Sequence, residues 1–273
     1  MQPISASVPR SDLLVSALLA SLAGGALAAP ERVVSLNVCT DQLAWLLAPD
    51  AVVAVSRLAD DPRTSAYAEE MAEVPQTGGS AEEIVLLEPD LVLAGTFTTR
   101  ATVQMLERLG YRVERFAPVT SLDEARRSMA RMGELLGRET AAAEMIRKFE
   151  ERRGALEADA TGKRALLYHA QGRTSGAGTL TADLLRAAGL SNVAEELDLP
   201  AGGRLSLEQA VMTEPDLILV AEPYEAFAWA TELTRHPALE ATGALTELGG
   251  GADWTCETPR LLDAVEALKD AAR

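Results

Sequence analysis

The hydrophobic period changes repeatedly along this chain, and the changes divide it into strands and helices. The stretch 32–36 reads as a buried strand, and 51–56, 91–94 and 111–116 read as further strands. Between them apolar positions recur every three or four residues. These stretches predict a helix over 42–47, a helix opened by a Ser80/Glu83 capping box and closed by Pro89, and one capped by Thr98 or Thr99 and ended by Gly110. The alternation resumes with a strand at 164–169, a Gly-rich loop at 171–178 and a helix over 181–188. A helix capped by Ser206 with Gln209 and a strand at 217–220 follow. Residues 57–77 read as a polar, irregular loop. The stretch 222–251 is least legible, with a helix near 228–234 and a short one after His236-Pro237. Pro259 is placed to open a last helix running through Leu268. Strands alternating with helices at this spacing imply α/β architecture, with parallel sheets covered on both faces.

The middle of the chain reads differently. Ser121 and Glu124 have capping-box spacing, and Leu122, Ala125, Met129, Met132 and Leu136 then form one apolar face up to a stop at Gly137. From Glu139 a second helix continues with Ala142, Met145, Ile146, Phe149 and Leu156. If it reaches Asp159 it is roughly 30 Å long, at 1.5 Å per residue.

On either side of this helical stretch the chain nearly repeats itself. Ser80-Ala-Glu82-Glu83-Ile-Val85-Leu-Leu-Glu88-Pro89-Asp90-Leu91 is matched by Ser206-Leu-Glu208-Gln209-Ala-Val211-Met-Thr-Glu214-Pro215-Asp216-Leu217, without a gap. Ordered agreement of this length predicts two related lobes. The expected plan is therefore two parallel-sheet lobes bridged by a long backbone helix. A signal peptide takes 1–28, an N-terminal lobe 29–137, the bridging helix 138–161 and a C-terminal lobe 162–273.

The leader assignment rests on Arg10, the apolar run 13–27 and the Ala-x-Ala pattern at 26–28, which sets cleavage between Ala28 and Ala29. No Cys follows that run, which disfavours a lipid anchor, so the mature chain is expected in the periplasm, soluble and without direct membrane insertion. The formal net charge of −16 excludes a nucleic-acid binder working through a basic face. Two Cys and two His cannot close a protein-only zinc site without carboxylates. In an oxidising compartment Cys39 and Cys256 are a candidate disulfide, because chain order puts one in the first loop of one lobe and the other in the last loop of the second. Two buried thiols, or two sulfur ligands for a soft metal, remain open alternatives.

Open α/β sheets bind ligands beyond the carboxyl ends of their strands. Loops 37–41, 57–63 and 95–100 are therefore expected to face loops 169–178, 221–229 and 252–258. The candidate ligand-binding residues on them are Arg57, Phe97, Arg100, His169, Arg173, Tyr224, Trp229 and Trp254. Aromatic and Arg side chains together suit a flat or anionic organic ligand. His169 is also a candidate axial ligand for a chelated metal, whereas His236, before a Pro at a helix start, reads as structural.

Arg32-Val-Val-Ser-Leu, the two Ser-x-Glu…Pro-Asp-Leu segments, the helix between them and Asp253-Trp254…Pro259-Arg260 resemble a known family. It is that of the periplasmic substrate-binding proteins serving iron-siderophore, haem and vitamin B12 ABC importers. The resemblance covers the whole mature chain. It implies a monomeric binder with small hinge motion, no catalytic residues and no resident cofactor or metal, which captures a metal chelate between its lobes. It also implies docking on an ABC permease dimer through Glu82 and Glu208, which both stand in the first turn of a helix, where a carboxylate is favoured. Asp253-Trp254 resembles the start of a cleft loop in vitamin B12 binders, although Glu257 stands where a basic residue is found in such a binder.

Readings from other classes fit less well. A receptor for free zinc or manganese needs a cluster of His and carboxylates. An exported nucleotide enzyme could use Gly176-Ala-Gly178, but the third glycine position holds Thr181. A hydrolase would need a Gly-x-Ser-x-Gly elbow that Thr174-Ser175-Gly176 does not supply.

Overall fold

The computed structural model describes residues 28–157, 160–221, 233–248 and 251–273. The first lobe runs β1 Val33–Ser35, α1 Val38–Leu47, β2 Val52–Ser56, α2 Ala68–Met71, β3 Gln76–Thr77, α3 Ala81–Leu86, β4 Leu91–Gly95, α4 Arg100–Arg108 and β5 Val113–Phe116. Two helices follow, α5 Leu122–Leu136 and α6 Glu139–Leu156. The second lobe runs β6 Arg164–Leu167, β7 Arg173–Ser175, α7 Leu180–Ala187, β8 Ser191–Asn192, α8 Val193–Glu196, β9 Ala201–Arg204, α9 Leu207–Met212 and β10 Leu217–Ala221. It ends with α10 Pro237–Glu240, β11 Leu245–Leu248 and α11 Leu261–Ala271.

Each lobe is built on a parallel sheet. The first has strand order β3-β2-β1-β4-β5 and the second β11-β10-β6-β8. Both reverse direction of growth beside their first strand, between β1 and β4 and between β6 and β10, as expected of duplicated halves. A separate antiparallel ribbon pairs β7 with β9.

The bridge is a helix hairpin in which α5 touches both lobes. Ser121 accepts from Glu124 N at 3.1 Å, and α5 closes as a Schellman motif, with Gly137 at φ 64° and Arg138 N donating to Gly133 O at 2.7 Å. Its buried face, Leu122, Ala125, Met129, Met132 and Leu136, joins one apolar cluster containing Val33 and Leu93 of the first sheet and Leu167 and Leu219 of the second. Leu122 N also donates to Asp183 Oδ2 in α7 at 2.8 Å. α6, 18 residues and so ~27 Å long, packs along α5 and α11.

Several local expectations are corrected. Residues 38–41 form the first turn of α1, because Asn37 Oδ1 accepts from Cys39 N and Thr40 N and starts the helix there. The capping boxes at Ser80 and Ser121 are only half made. Glu83 accepts instead from Gly78 N and Thr77, and Glu124 from Thr120, since the incoming chain presents those donors first. Ser206 and Gln209 do form both bonds. Thr99 makes no cap bond; Thr98 Oγ1 accepts from Gly95 N. The loop 57–77 holds α2 and β3, and the Gly-rich loop holds β7. Residues 251–254 are a 3-10 turn, and the last helix begins at Leu261, two residues after Pro259, and continues to Ala271. The helix placed over 228–234 lies mostly outside the described residues.

Candidate ligand-binding cleft

The site is assembled from the two points where strand order reverses. At the first, Asn37 follows β1 and its side chain lies over Gly95 at the end of β4, where a Cβ would come within 2.8 Å of Nδ2. A side chain at 95 would press on Asn37, whose Oδ1 is held as the cap of α1. Gly95 then opens a tight turn, with Thr98 N donating to Gly95 O at 3.1 Å. That turn projects Phe97 into solvent, 88% exposed, and sets exposed Arg100 at the start of α4.

At the second reversal β6 ends at Leu167 and is followed by Tyr168, which is fully buried, and then by His169. His169 N donates to Arg173 O at 2.8 Å, closing a turn in which Gln171 takes φ 60°. Arg173 then pairs with Arg204 across the β7–β9 ribbon. Paired residues of a ribbon present side chains on one face, and like charges directly opposite repel. Neither guanidinium has an ion-pair partner among the described residues. Arg204 escaped sequence reasoning, because Gly202-Gly203-Arg204 carries no strand period and the ribbon forms only through a tertiary turn. His169 is exposed to solvent as a whole residue. Its pKa is nevertheless lowered, by burial first and by the charge of Arg173 second. Both effects favour the neutral imidazole, the form that can ligate a metal.

Cys39 and Cys256 form a disulfide, with Cα atoms 4.9 Å apart and 217 residues of separation. It fastens the first turn of α1 to the segment after the 3-10 turn in the other lobe. Tyr67 of the first lobe lies beside Thr258 and Arg260 of the second along the same seam. Trp254 is half-buried and packs against the shared apolar cluster, so the cleft has only part of its surface to use. Arg57 stands exposed at the end of β2, its guanidinium over Gly78. Tyr224 and Trp229 lie outside the described residues.

Two buried carboxylates border this region. Asp41, in the first turn of α1, accepts from Ser56 N at 3.2 Å and from the Ser56 hydroxyl. Burial raises its pKa to about 7, against the lowering effect of hydrogen bonds from Ser35 and Ser56. Glu257 is 2% exposed and accepts from Ser128 Oγ of α5 at 3.0 Å. Its charge therefore faces α5 and not a ligand.

Glu82 and Glu208 are exposed in the first turns of α3 and α9. Glu208 has its pKa lowered by the Ser206 hydroxyl and by its own backbone N–H. His236 caps α10, with Nδ1 accepting from Ala238 N at 3.1 Å. Residues 1–27 lie outside the described set, and Ala28 and Ala29 begin it, both exposed. Among the described residues no helix is long and apolar enough to cross a membrane.

Comparison with known proteins gives this architecture its family. The model of the periplasmic binding protein family matches residues 33–247. The chain belongs to that family. A cobalamin-binding protein of Halobacterium salinarum is 30% identical over 228 residues, which covers 78% of this chain and 62% of the relative. The chain thus spans less than two thirds of that relative's length. Among solved structures, the periplasmic heme-binding protein RhuT of Roseiflexus sp. RS-1 superposes with a TM-score of 0.71 at 21% identity, over 89% of this chain and 99% of the other. The periplasmic vitamin B12 binding protein BtuF of Vibrio cholerae gives 0.64 at 21% identity, over 89% and 96%. These periplasmic binding proteins share the fold of two α/β lobes and a helical bridge.

Proposed function

We propose that the protein is the exported solute-binding component of an ABC importer. It holds a metal chelate of the cobalamin, haem or ferric-siderophore class between its lobes and delivers it, without turnover, to a permease dimer through Glu82 and Glu208. The observation that carries the reading is the Cys39–Cys256 disulfide. It brings the carboxyl-end loops of the two sheets to one seam, so that Phe97 and Arg100 on one side and His169, Arg173 and Arg204 on the other can border a common crevice. Family membership and the 30% identical cobalamin-binding relative favour a corrinoid among the three classes. Glu257 is turned to Ser128, so its carboxylate does not line the crevice, and the basic residue found at that place in a vitamin B12 binder has no counterpart here.

A free-ion receptor is less well supported, since among the described residues no three His, Cys, Asp or Glu gather as metal ligands. The test is titration of the mature protein with cyanocobalamin, cobinamide, haemin and a ferric hydroxamate, following intrinsic Trp fluorescence. Saturable binding of one chelate at micromolar or lower concentration is expected, with the chelate recovered chemically unchanged. Binding of none, beside micromolar binding of zinc, would overturn the reading in favour of a bare-metal receptor.

A further inference from the structure

Leu86 is 84% exposed and Met212 is 80% exposed. They are the same position of the internal repeat, each six residues after the Ser that caps its helix and four after Glu82 or Glu208. Residues four apart share one face of a helix, about 6 Å apart along its axis. Each lobe therefore offers a carboxylate and a large apolar side chain, one turn apart and both in solvent. Glu88 and Glu214 are exposed beyond them and adopt matching left-handed backbone, at φ 46° and 45°.

A single exposed apolar residue is ordinary on a protein surface. Recurrence at equivalent positions of two lobes is not, because other apolar positions of the segment have diverged, although Val85 and Val211 agree. Ile84 corresponds to Ala210, and Leu87 to Thr213. Other large apolar residues in the open, Leu58, Met105, Leu109 and Leu197, are between 41% and 56% exposed and have no counterpart in the repeat. Phe97 belongs to the cleft.

We propose that Leu86 and Met212 are the apolar anchors of the docking surface. Each seats in a nonpolar socket of one subunit of a two-fold permease dimer, beside the cation that receives Glu82 or Glu208. The inference rests on the delivery reading above and adds to it what the charges alone do not supply. Two near-identical patches on a pseudo-symmetric monomer match two identical sockets on a symmetric dimer. A charge steers encounter and sets register, whereas desolvation of an anchor of this size slows release. The helices that carry the anchors are held at both ends, by Ser80 or Ser206 at the start and by Arg32 or Arg164 at the finish. Little freedom remains to be lost on docking.

The experiment uses a host strain lacking the chromosomal copy and supplied with wild-type protein or a variant. Uptake is read with whichever radiolabelled chelate the wild type binds in vitro. Leu86→Ser with Met212→Ser should lower uptake at limiting binding protein about ten-fold or more. Each single substitution should fall between, and chelate affinity should stay at the wild-type value in all of them. Leu109→Ser, on an exposed apolar residue outside the repeat, should transport normally. Normal uptake by the double variant, or an equal loss in Leu109→Ser, overturns the proposal. So does a double variant with normal uptake that abolishes a wild-type dimer in sedimentation, because the surface is then a self-association face. If the wild type binds a chelate yet restores uptake of none, the delivery reading itself fails.

Discussion

Arg32 and Arg164 perform the same task at the amino-terminal edges of the two sheets. Arg32 Nη2 donates to Leu87 O at 2.6 Å and its Nε to Glu88 O at 3.2 Å, while Arg164 Nη1 donates to Thr213 O at 2.7 Å and Glu214 O at 3.2 Å. Each therefore satisfies carbonyls at the carboxyl end of a tip helix, where unpaired acceptors and negative dipole both favour a cation. Asp90 and Asp216 complete the arrangement by accepting from the backbone N–H of Arg32 and Arg164. Arg164 also pairs with Glu196 at 2.6 Å. Replacing Arg32 by Ala should lower stability by about 1–3 kcal/mol in urea denaturation, and replacing Arg164 by somewhat more. Equal midpoints for both variants and wild type would remove the clamp from the account.

Reduction of the disulfide offers a larger effect. A cross-link over 217 residues restrains the unfolded chain by about 5 kcal/mol in the loop-entropy model. Cys39→Ala with Cys256→Ala should therefore melt well below wild type. Each lobe keeps its own sheet, and α5 still joins them, so the circular dichroism of the variant at 20 °C should remain that of wild type. A loss of secondary structure at that temperature would mean that the bridge alone cannot hold the lobes.

Charge reversal at the lobe tips separates docking from binding. Glu82→Arg with Glu208→Arg places like charges against the proposed permease cations, which costs more than deletion of an exposed pair. Uptake should fall ten-fold or more while chelate affinity is unchanged. Normal uptake would dissociate these two residues from docking.

How much of this could be read from the chain depended on what fixes each element. Strands β1, β2, β4, β5, β6 and β10 and the α5 face showed themselves because burial on a regular element leaves a pattern, as at Met129, Met132 and Leu136, whereas β3, β8 and β11 gave no signal of their own. The duplicated Ser-x-Glu…Pro-Asp-Leu segments made the two lobes legible directly, since a repeated run of residues implies a repeated fold. What stayed hidden was set by contacts between distant residues. β7 and β9 are short and pair only with each other, and β9 is half glycine, so Arg204 gave no signal. Trp254 looked like a cleft aromatic, yet half of it packs on the core. Glu257 looked like a cleft charge because sequence cannot show that Ser128, 129 residues earlier, lies opposite it.

Asp41 predicts a pH dependence. Its folded pKa, about 7, exceeds the ordinary 3.8, so the folded state holds an extra proton between those values. Stability should therefore be highest near pH 4 on this account and fall as pH rises through 7, by up to ~4 kcal/mol from this group. Burial also raises the pKa of Glu257 and Asp253, which slope the same way. Asp41→Asn keeps an acceptor for Ser56 N and should flatten the decline without abolishing it. An unchanged pH profile in that variant would show that Asp41 titrates normally in the folded protein.

The Arg173–Arg204 pair yields a prediction that also sorts the ligand classes. Two guanidinium groups opposed on a ribbon destabilise the empty protein, unless an anion lies between or beside them. Haem carries two carboxylates and cobalamin one phosphodiester, whereas cobinamide lacks that phosphodiester. Arg173→Gln or Arg204→Gln should leave the melting temperature of the unliganded protein unchanged or raise it. The same variants should weaken binding of a carboxylate- or phosphate-bearing chelate about ten-fold or more, the usual effect of losing a charge-assisted hydrogen bond. Wild-type affinity for such a chelate should fall with added salt, and the variants should respond less. Cobinamide affinity should not change between wild type and either variant. If cobinamide and cobalamin both bind the variants as tightly as wild type, the ribbon faces solvent and not ligand. In that event the aromatic and Arg residues of the first lobe, Phe97 and Arg100, are left to hold the chelate, and their loss should be the larger.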